Sequence, residues 1–251
     1  MATDSLPEVL VPASARQRPE LTRFVSALTG ALGDRVLAIV VYGPAARDED
    51  VGDGELNVLV ILRDLELATL AAAGPAITRF IGRGLPHPRL VTPESLAAAA
   101  DVFPIELAEI VERHVLVHGR FPHADLPAVD REHLRLQCER ELREKLMRLD
   151  EAYVAAAGSE RALRRLLVSS YPTFAALFRA CLRLTQTAPP PSSIAAIEAF
   201  CVAMGVEASP FVEVDRLRRG LAIDVAIPTL FARYHAAIVR AVNAVDRSNT
   251  P

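Results

Sequence analysis

The chain has 251 residues, 51% hydrophobic and 24% charged, with 28 basic against 31 acidic side chains and a net charge of -3. This composition belongs to an ordered globular protein of one large or two small domains and excludes a disordered chain. The near balance of charge excludes a general electrostatic footprint for nucleic acid, so any such contact would have to be local.

Residues 1–20 read as an N-terminal tail. Residues 1–18 carry acids and prolines but no basic start followed by an apolar core, so no signal peptide is expected. No apolar run is long enough to cross a bilayer, and the expected location is the cytoplasm with no membrane partner. Cys138, Cys181 and Cys201 are widely spaced in apolar helical surroundings, which favours buried free thiols over a disulfide or a zinc site.

A helix is expected over 21–32, closed by Gly33. Residues 36–42 (VLAIVVY) form a short β-branched run that fits a buried strand, and 55–62 (ELNVLVIL) a second strand able to pair with it across the turn-rich 43–54 (GPAARDEDVGDG). Helical patterning follows over 65–73, breaks at Gly74-Pro75 and resumes over 76–81. A third strand is expected at 89–91, a helix at 93–100 with Thr92 as N-cap, and a fourth strand at 115–117 before Gly119. The expected fold class is α+β, with a mixed sheet and its helices over 21–119, a linker over 120–128 and an all-α bundle over 129–251.

In the second half, Asp130 can cap a long helix in which Leu134, Cys138, Leu142, Leu146, Leu149 and Tyr153 form one apolar stripe. Glu139 with Arg143 and Glu141 with Lys145 lie at i,i+4 on its other faces. Ser159 starts the next helix, which Pro172 kinks or interrupts, and 188–191 (APPP) is a stiff connector. Helical patterns over 194–204 and 229–245 complete a bundle of four or five helices.

Chemistry concentrates in 43–60, where strand, glycine turn and acidic strand follow in order. This order resembles the DNA polymerase β-like nucleotidyltransferase superfamily. There a Gly-Ser turn holds a nucleotide triphosphate and an Asp-x-Asp pair shares divalent cations. The resemblance extends to 101–119 (DVFPIELAEIVERHVLVHG), similar to the close of bacterial nucleotidyltransferase domains, and to a following bundle like that of kanamycin-type nucleotidyltransferases. Carried over position by position, Gly43 keeps the glycine, Pro44 replaces the Ser, Glu55 takes the first Asp position and Asn57 the second. Pro44 brings neither hydroxyl nor N–H to a phosphate, and Asn57 offers a metal only a neutral oxygen.

The resemblance thus implies a nucleotide ligand and, were the chain active, Mg2+ held by Glu55 with a displaced acid such as Asp53. Asp48 and Asp50 add acidity to the same loop, but without the fixed geometry of a strand, and they read as solvated. Arg47, just inside the presumed helix start, is a candidate for phosphate or for an ion pair with the loop acids. A third carboxylate, which active members place on a later strand, is missing from 89–91, where Glu94, Asp101 and Glu106 are the nearest acids.

The expected function is a non-catalytic or weakly active binding or regulatory module, alone or in a homo- or hetero-oligomer. The alternatives are an active enzyme moving a nucleoside monophosphate to a hydroxyl, and a structural oligomerisation partner. Three histidines, His114, His118 and His123, crowd the end of the first domain and read as a polar cluster rather than a metal site. The groups Arg161, Arg164, Arg165 and Arg216, Arg218, Arg219 lack interleaved aromatics and read as helix surface. Arg179, alone in an apolar stretch, must find a partner or emerge at a cleft, and it is the bundle residue expected to reach a nucleotide.

Overall fold

The computed structural model describes residues 17–46, 56–122, 126–185, 188–190 and 192–248. The chain divides into two compact units, Met1–Val129 and Asp130–Pro251.

In the first unit, helix α1 (Gln17–Leu32) leads to strand β1 (Val36–Tyr42). The helix starts four residues before the expected 21, because Pro19 falls in its first turn, where a missing N–H breaks no helical bond. Strand β2 (Asn57–Leu62), helix α2 (Leu67–Ile81) and strand β3 (Arg89–Val91) follow. Helices α3 (Pro93–Ala98) and α4 (Pro104–Glu112) and strand β4 (His114–Gly119) complete the unit. The sheet order is β3-β2-β1-β4, with β1 antiparallel to β2 and to β4 and β2 parallel to β3. It is a mixed sheet with helices, and the chain as a whole is α+β.

Both faces of the sheet are covered, which explains why β1 and β2 read as continuous apolar runs. Ile39, Val41, Val58, Val60 and Leu62 pack with Leu21, Phe24 and Leu28 of α1 and Ile77 and Phe80 of α2. Ala38, Val40, Tyr42, Leu59 and Ile61 pack with Leu96, Leu107 and Ile110. Phe121, in the segment read as a linker, is buried on this second face, with Leu126 and Val129 against it. These apolar side chains tie the segment to the first unit.

Helix α2 runs unbroken through Gly74-Pro75, against expectation. Thr69, Ala73, Ala76, Ile77 and Phe80 form one buried stripe across the proline, whereas Pro75 and Ala71, the carbonyl four residues back, are exposed. The freed carbonyl is thus on the open side of the helix and not sealed in the core, and burial of the stripe outweighs the proline's cost of about 3 kcal/mol. Thr92 caps α3 as expected, accepting from the Ser95 N–H at 3.1 Å while Ser95 Oγ accepts from the Thr92 N–H at 2.8 Å.

The second unit is helical: α5 (Arg131–Ala156), α6 (Glu160–Leu182), α7 (Ser193–Met204), α8 (Ser209–Arg218) and α9 (Ile227–Arg247). Asp130 Oδ1 accepts from the N–H groups of Glu132 and His133 at the start of α5. The stripe Leu134, Cys138, Leu142 and Leu149 is buried, and Glu139–Arg143 and Glu141–Lys145 close at 2.8 and 3.7 Å on other faces. Pro172 lies within a continuous 23-residue α6, with its ring on the exposed side. Helix α8, absent from the sequence expectations, begins Ser209-Pro210, and proline in the first turn was its available signal. All three cysteines are buried and free. Among the described residues no helix is long and apolar enough to cross a membrane.

Candidate functional site

The end of β1 and the start of β2 bring Tyr42 opposite Asn57 in antiparallel register. The chain leaves β1 at Gly43 with φ +74° and enters a short 3-10 turn, Gly43–Ala46, which includes the backbone of Pro44. Gly43 is required there twice over. Its φ is in the left-handed region, and a Cβ would stand 2.8 Å from Asn57 Nδ2. The position resembling the second family carboxylate therefore holds a half-buried neutral amide packed over the glycine turn. Arg47, Asp53 and Glu55, with Asp48 and Asp50, lie outside the described residues.

Opposed residues of an antiparallel pair share a face, so Asn57 is on the side of Tyr42, Val40 and Leu59. The parallel register sets Arg89 of β3 beside Leu59, one strand over and two residues along from Asn57. Arg89 pairs with Glu106 of α4 at 3.8 Å. Burial raises the pKa of the Tyr42 phenol above its ordinary 10.0. Arg89 opposes that shift by charge and a hydrogen bond, while Glu106 and Glu109 add to it. The result is a phenol, a guanidinium and two carboxylates gathered at the strand end beside Asn57. Sequence reasoning named Glu106 among the acids nearest to 89–91 and passed over Tyr42 and Arg89. The available signal was an arginine in the strand searched for a carboxylate.

The fit of this end of the sheet to a divalent cation follows from its donors. Asn57 supplies one neutral oxygen, and Arg89 places a cation on the neighbouring strand. Among the described residues no group of three or more His, Cys, Asp or Glu is arranged to hold a metal ion. With Arg89 paired to Glu106 in its midst, the described donor set does not suit Mg2+.

His114 and His118, the described members of the histidine group, do not converge. His114 is opposite Tyr42 and His118 opposite Ile39, because the register shifts where Val40 meets Leu116. Tyr42 and Ile39 belong to opposite faces, so the bulge sends the two imidazoles apart. His114 Nδ1 lies 2.7 Å from the Ile110 carbonyl oxygen, and its ring packs on Phe121 at 4.3 Å. His123 lies outside the described residues.

In the second unit, Arg179 is 6% exposed and donates through Nη1 to the carbonyl of Pro190 in the proline connector. That guanidinium is engaged in holding the connector to α6. Asp215 takes Arg219 at 2.7 Å and Arg218 at 3.6 Å, Arg218 lies over the Tyr171 ring at 5.2 Å, and Arg216 donates to the Ala222 carbonyl at 2.9 Å. This second basic group thus stabilises the end of α8.

Comparison with protein-family profiles and with curated proteins finds no match. Among solved structures, the chain is similar to the spectinomycin adenyltransferase AAD(9) from Enterococcus faecialis, crystallised with ATP and spectinomycin. The TM-score is 0.55 at 12% identity, over 91% of this chain and 99% of that one. At that identity the likeness shows the fold alone, one that this chain shares with an adenyltransferase.

Proposed function

We propose that the chain is a nucleotidyltransferase-fold module with a degenerate metal site, non-catalytic or weakly active, that binds a nucleotide in a regulatory capacity. The observation that carries this reading is Asn57, a neutral amide packed over Gly43 where a metal-holding carboxylate would stand. A unit charge about 4 Å from a cation contributes on the order of 4 kcal/mol at an effective dielectric of 20, before solvation costs. Its replacement by an amide removes that contribution. Pro44 removes a hydroxyl and an N–H from the phosphate turn. Nucleotide as the ligand class draws support from a structural neighbour crystallised with ATP.

The test is calorimetric titration with ATP in magnesium and in EDTA. Equal affinity in both supports the reading, and tight binding that needs magnesium overturns it.

A second reading is favoured by that neighbour's being an adenyltransferase: transfer of a nucleoside monophosphate to a hydroxyl, with Glu55 and Asp53 holding one Mg2+. It requires labelled product from α-labelled nucleotides and loss of that product in Glu55→Gln. Light scattering after size exclusion tests the proposed homo-oligomer.

A further inference from the structure

A cavity of about 390 Å3 opens within the second unit, between the last turns of α5 and the first half of α9. Its size falls at the lower end of the range for small-molecule pockets. Helix α5 presents Asp150, Tyr153 and Val154, spaced i, i+3, i+4 on one face, and α9 presents Pro228, Phe231 and His235, spaced i, i+3, i+7. Tyr153 continues the apolar stripe of α5, yet it is 50% exposed where Leu134, Cys138, Leu142 and Leu149 are buried. Its ring stacks on the buried Phe231 with centroids 4.8 Å apart, and Phe231 in turn stacks on His235 at 6.3 Å. The three rings line one wall, and the open part of Tyr153 is available to a ligand.

His235 Nε2 lies 2.7 Å from Asp150 Oδ1 and fixes the carboxylate at the edge of this wall. The other oxygen, Oδ2, makes no hydrogen bond among the described residues, and the side chain is 53% exposed. His235 occupies one oxygen of the carboxylate and leaves the other open to a ligand. The last turns of α5 add partial negative charge. The opposing partial positive end of α9 enters the cavity as Pro228, which has no N–H to offer an anion.

We infer that this cavity binds a small organic cation, an amine or quaternary ammonium on a compact apolar body, with the body against Tyr153 and Val154 and the charge toward Asp150. The inference concerns residues of the second unit alone and stands apart from the nucleotide reading. Cation–π attraction to Tyr153 and charge pairing with Asp150 supply the selectivity, and the aromatic wall the affinity.

The test titrates the full chain with benzyltrimethylammonium, benzyl alcohol and phenylacetate. The cation is expected to bind about tenfold more tightly than the alcohol, and phenylacetate more weakly than either. Asp150→Asn is expected to bring the cation down to the level of the alcohol, and Tyr153→Ala to weaken both. Equal binding of all three compounds, absence of saturable binding, or a cation preference that survives Asp150→Asn overturns the inference. Saturation-transfer NMR on the unaltered chain provides a readout independent of any variant. Transfer between the benzyl ring and Tyr153 supports the site, and transfer only to other residues overturns it.

Discussion

Gly43 and Asn57 meet where β1 turns toward β2: a Cβ on Gly43 would stand 2.8 Å from Asn57 Nδ2, at a backbone φ of +74°. Gly43→Ala therefore meets two separate penalties, the left-handed backbone and the collision, together about 2 kcal/mol or more. Asn57→Ala removes the amide and relieves only the collision. In a double-mutant cycle by denaturant unfolding, Asn57→Ala should return about 1 kcal/mol of the loss in Gly43→Ala. Strict additivity of the two changes would mean that the amide does not press on the turn.

Gly119 and Gly205 separate the same two effects at two other positions. Both have positive φ, +71° and +64°. A Cβ on Gly119 would stand 2.0 Å from the Leu37 carbonyl oxygen, whereas one on Gly205 meets nothing within 4 Å. Gly205→Ala should cost about 1 kcal/mol, the conformational part alone. Gly119→Ala should cost more than about 3 kcal/mol, since backbone must move at the junction of β1 and β4. Chemical denaturation of the two variants checks the ranking, and equal losses would contradict it.

The pattern of legibility follows from which forces are local. Strand β1 was readable to the residue because 36–42 is a β-branched run too short for a helix and bounded by glycines. The caps Asp130, Ser159 and Thr92 were readable because a side-chain oxygen answers N–H groups two or three residues away. Helix α2 was misread at Pro75 because the stripe that overrides the proline is rewarded only by packing against α1 and the sheet, as in the Phe24–Phe80 contact at 4.5 Å. The turn at Gly43 and the strand that carries Asn57 were legible in the sequence pattern. Tyr42, Arg89 and Glu106 were not, since their meeting depends on β2–β3 register and on α4 crossing that face.

Two buried tyrosines should make the second unit lose stability at alkaline pH. Burial raises the Tyr171 and Tyr234 phenols above the ordinary 10.0; the Asp215 charge adds to the first, and a hydrogen bond with Ser170 opposes the second. The folded state thus holds protons that the unfolded chain releases. This contribution is whole below pH 10.0 and is lost as pH rises above it. Each tyrosine should steepen the loss by about 1.4 kcal/mol per pH unit. The Tyr171 hydroxyl falls short of strict hydrogen-bond geometry but interacts with the buried Asp215 carboxylate, so Tyr171→Phe should lower neutral-pH stability by about 1 kcal/mol while flattening the alkaline limb. Urea midpoints measured from neutral to alkaline pH decide it, and an unchanged slope in Tyr171→Phe would place the alkaline loss elsewhere.

Restoring charge at position 57 tests what the amide does. Asn57 is half-buried opposite Tyr42, with Arg89 on the neighbouring strand. Asn57→Asp puts an acceptor-only anion against the Gly43 turn, next to a buried phenol that burial already disfavours ionising. Without a divalent cation the variant should melt below the parent chain, by an amount on the order of 1 kcal/mol. A cation that now finds a charged ligand stabilises the folded state in proportion to the logarithm of its concentration over Kd. Magnesium should therefore raise the Tm of Asn57→Asp and leave that of the parent unchanged, with calcium as a second probe. An equal magnesium shift in both chains would show that the parent holds the cation without a carboxylate at 57. No shift in either would show that the missing charge at 57 is not what excludes it.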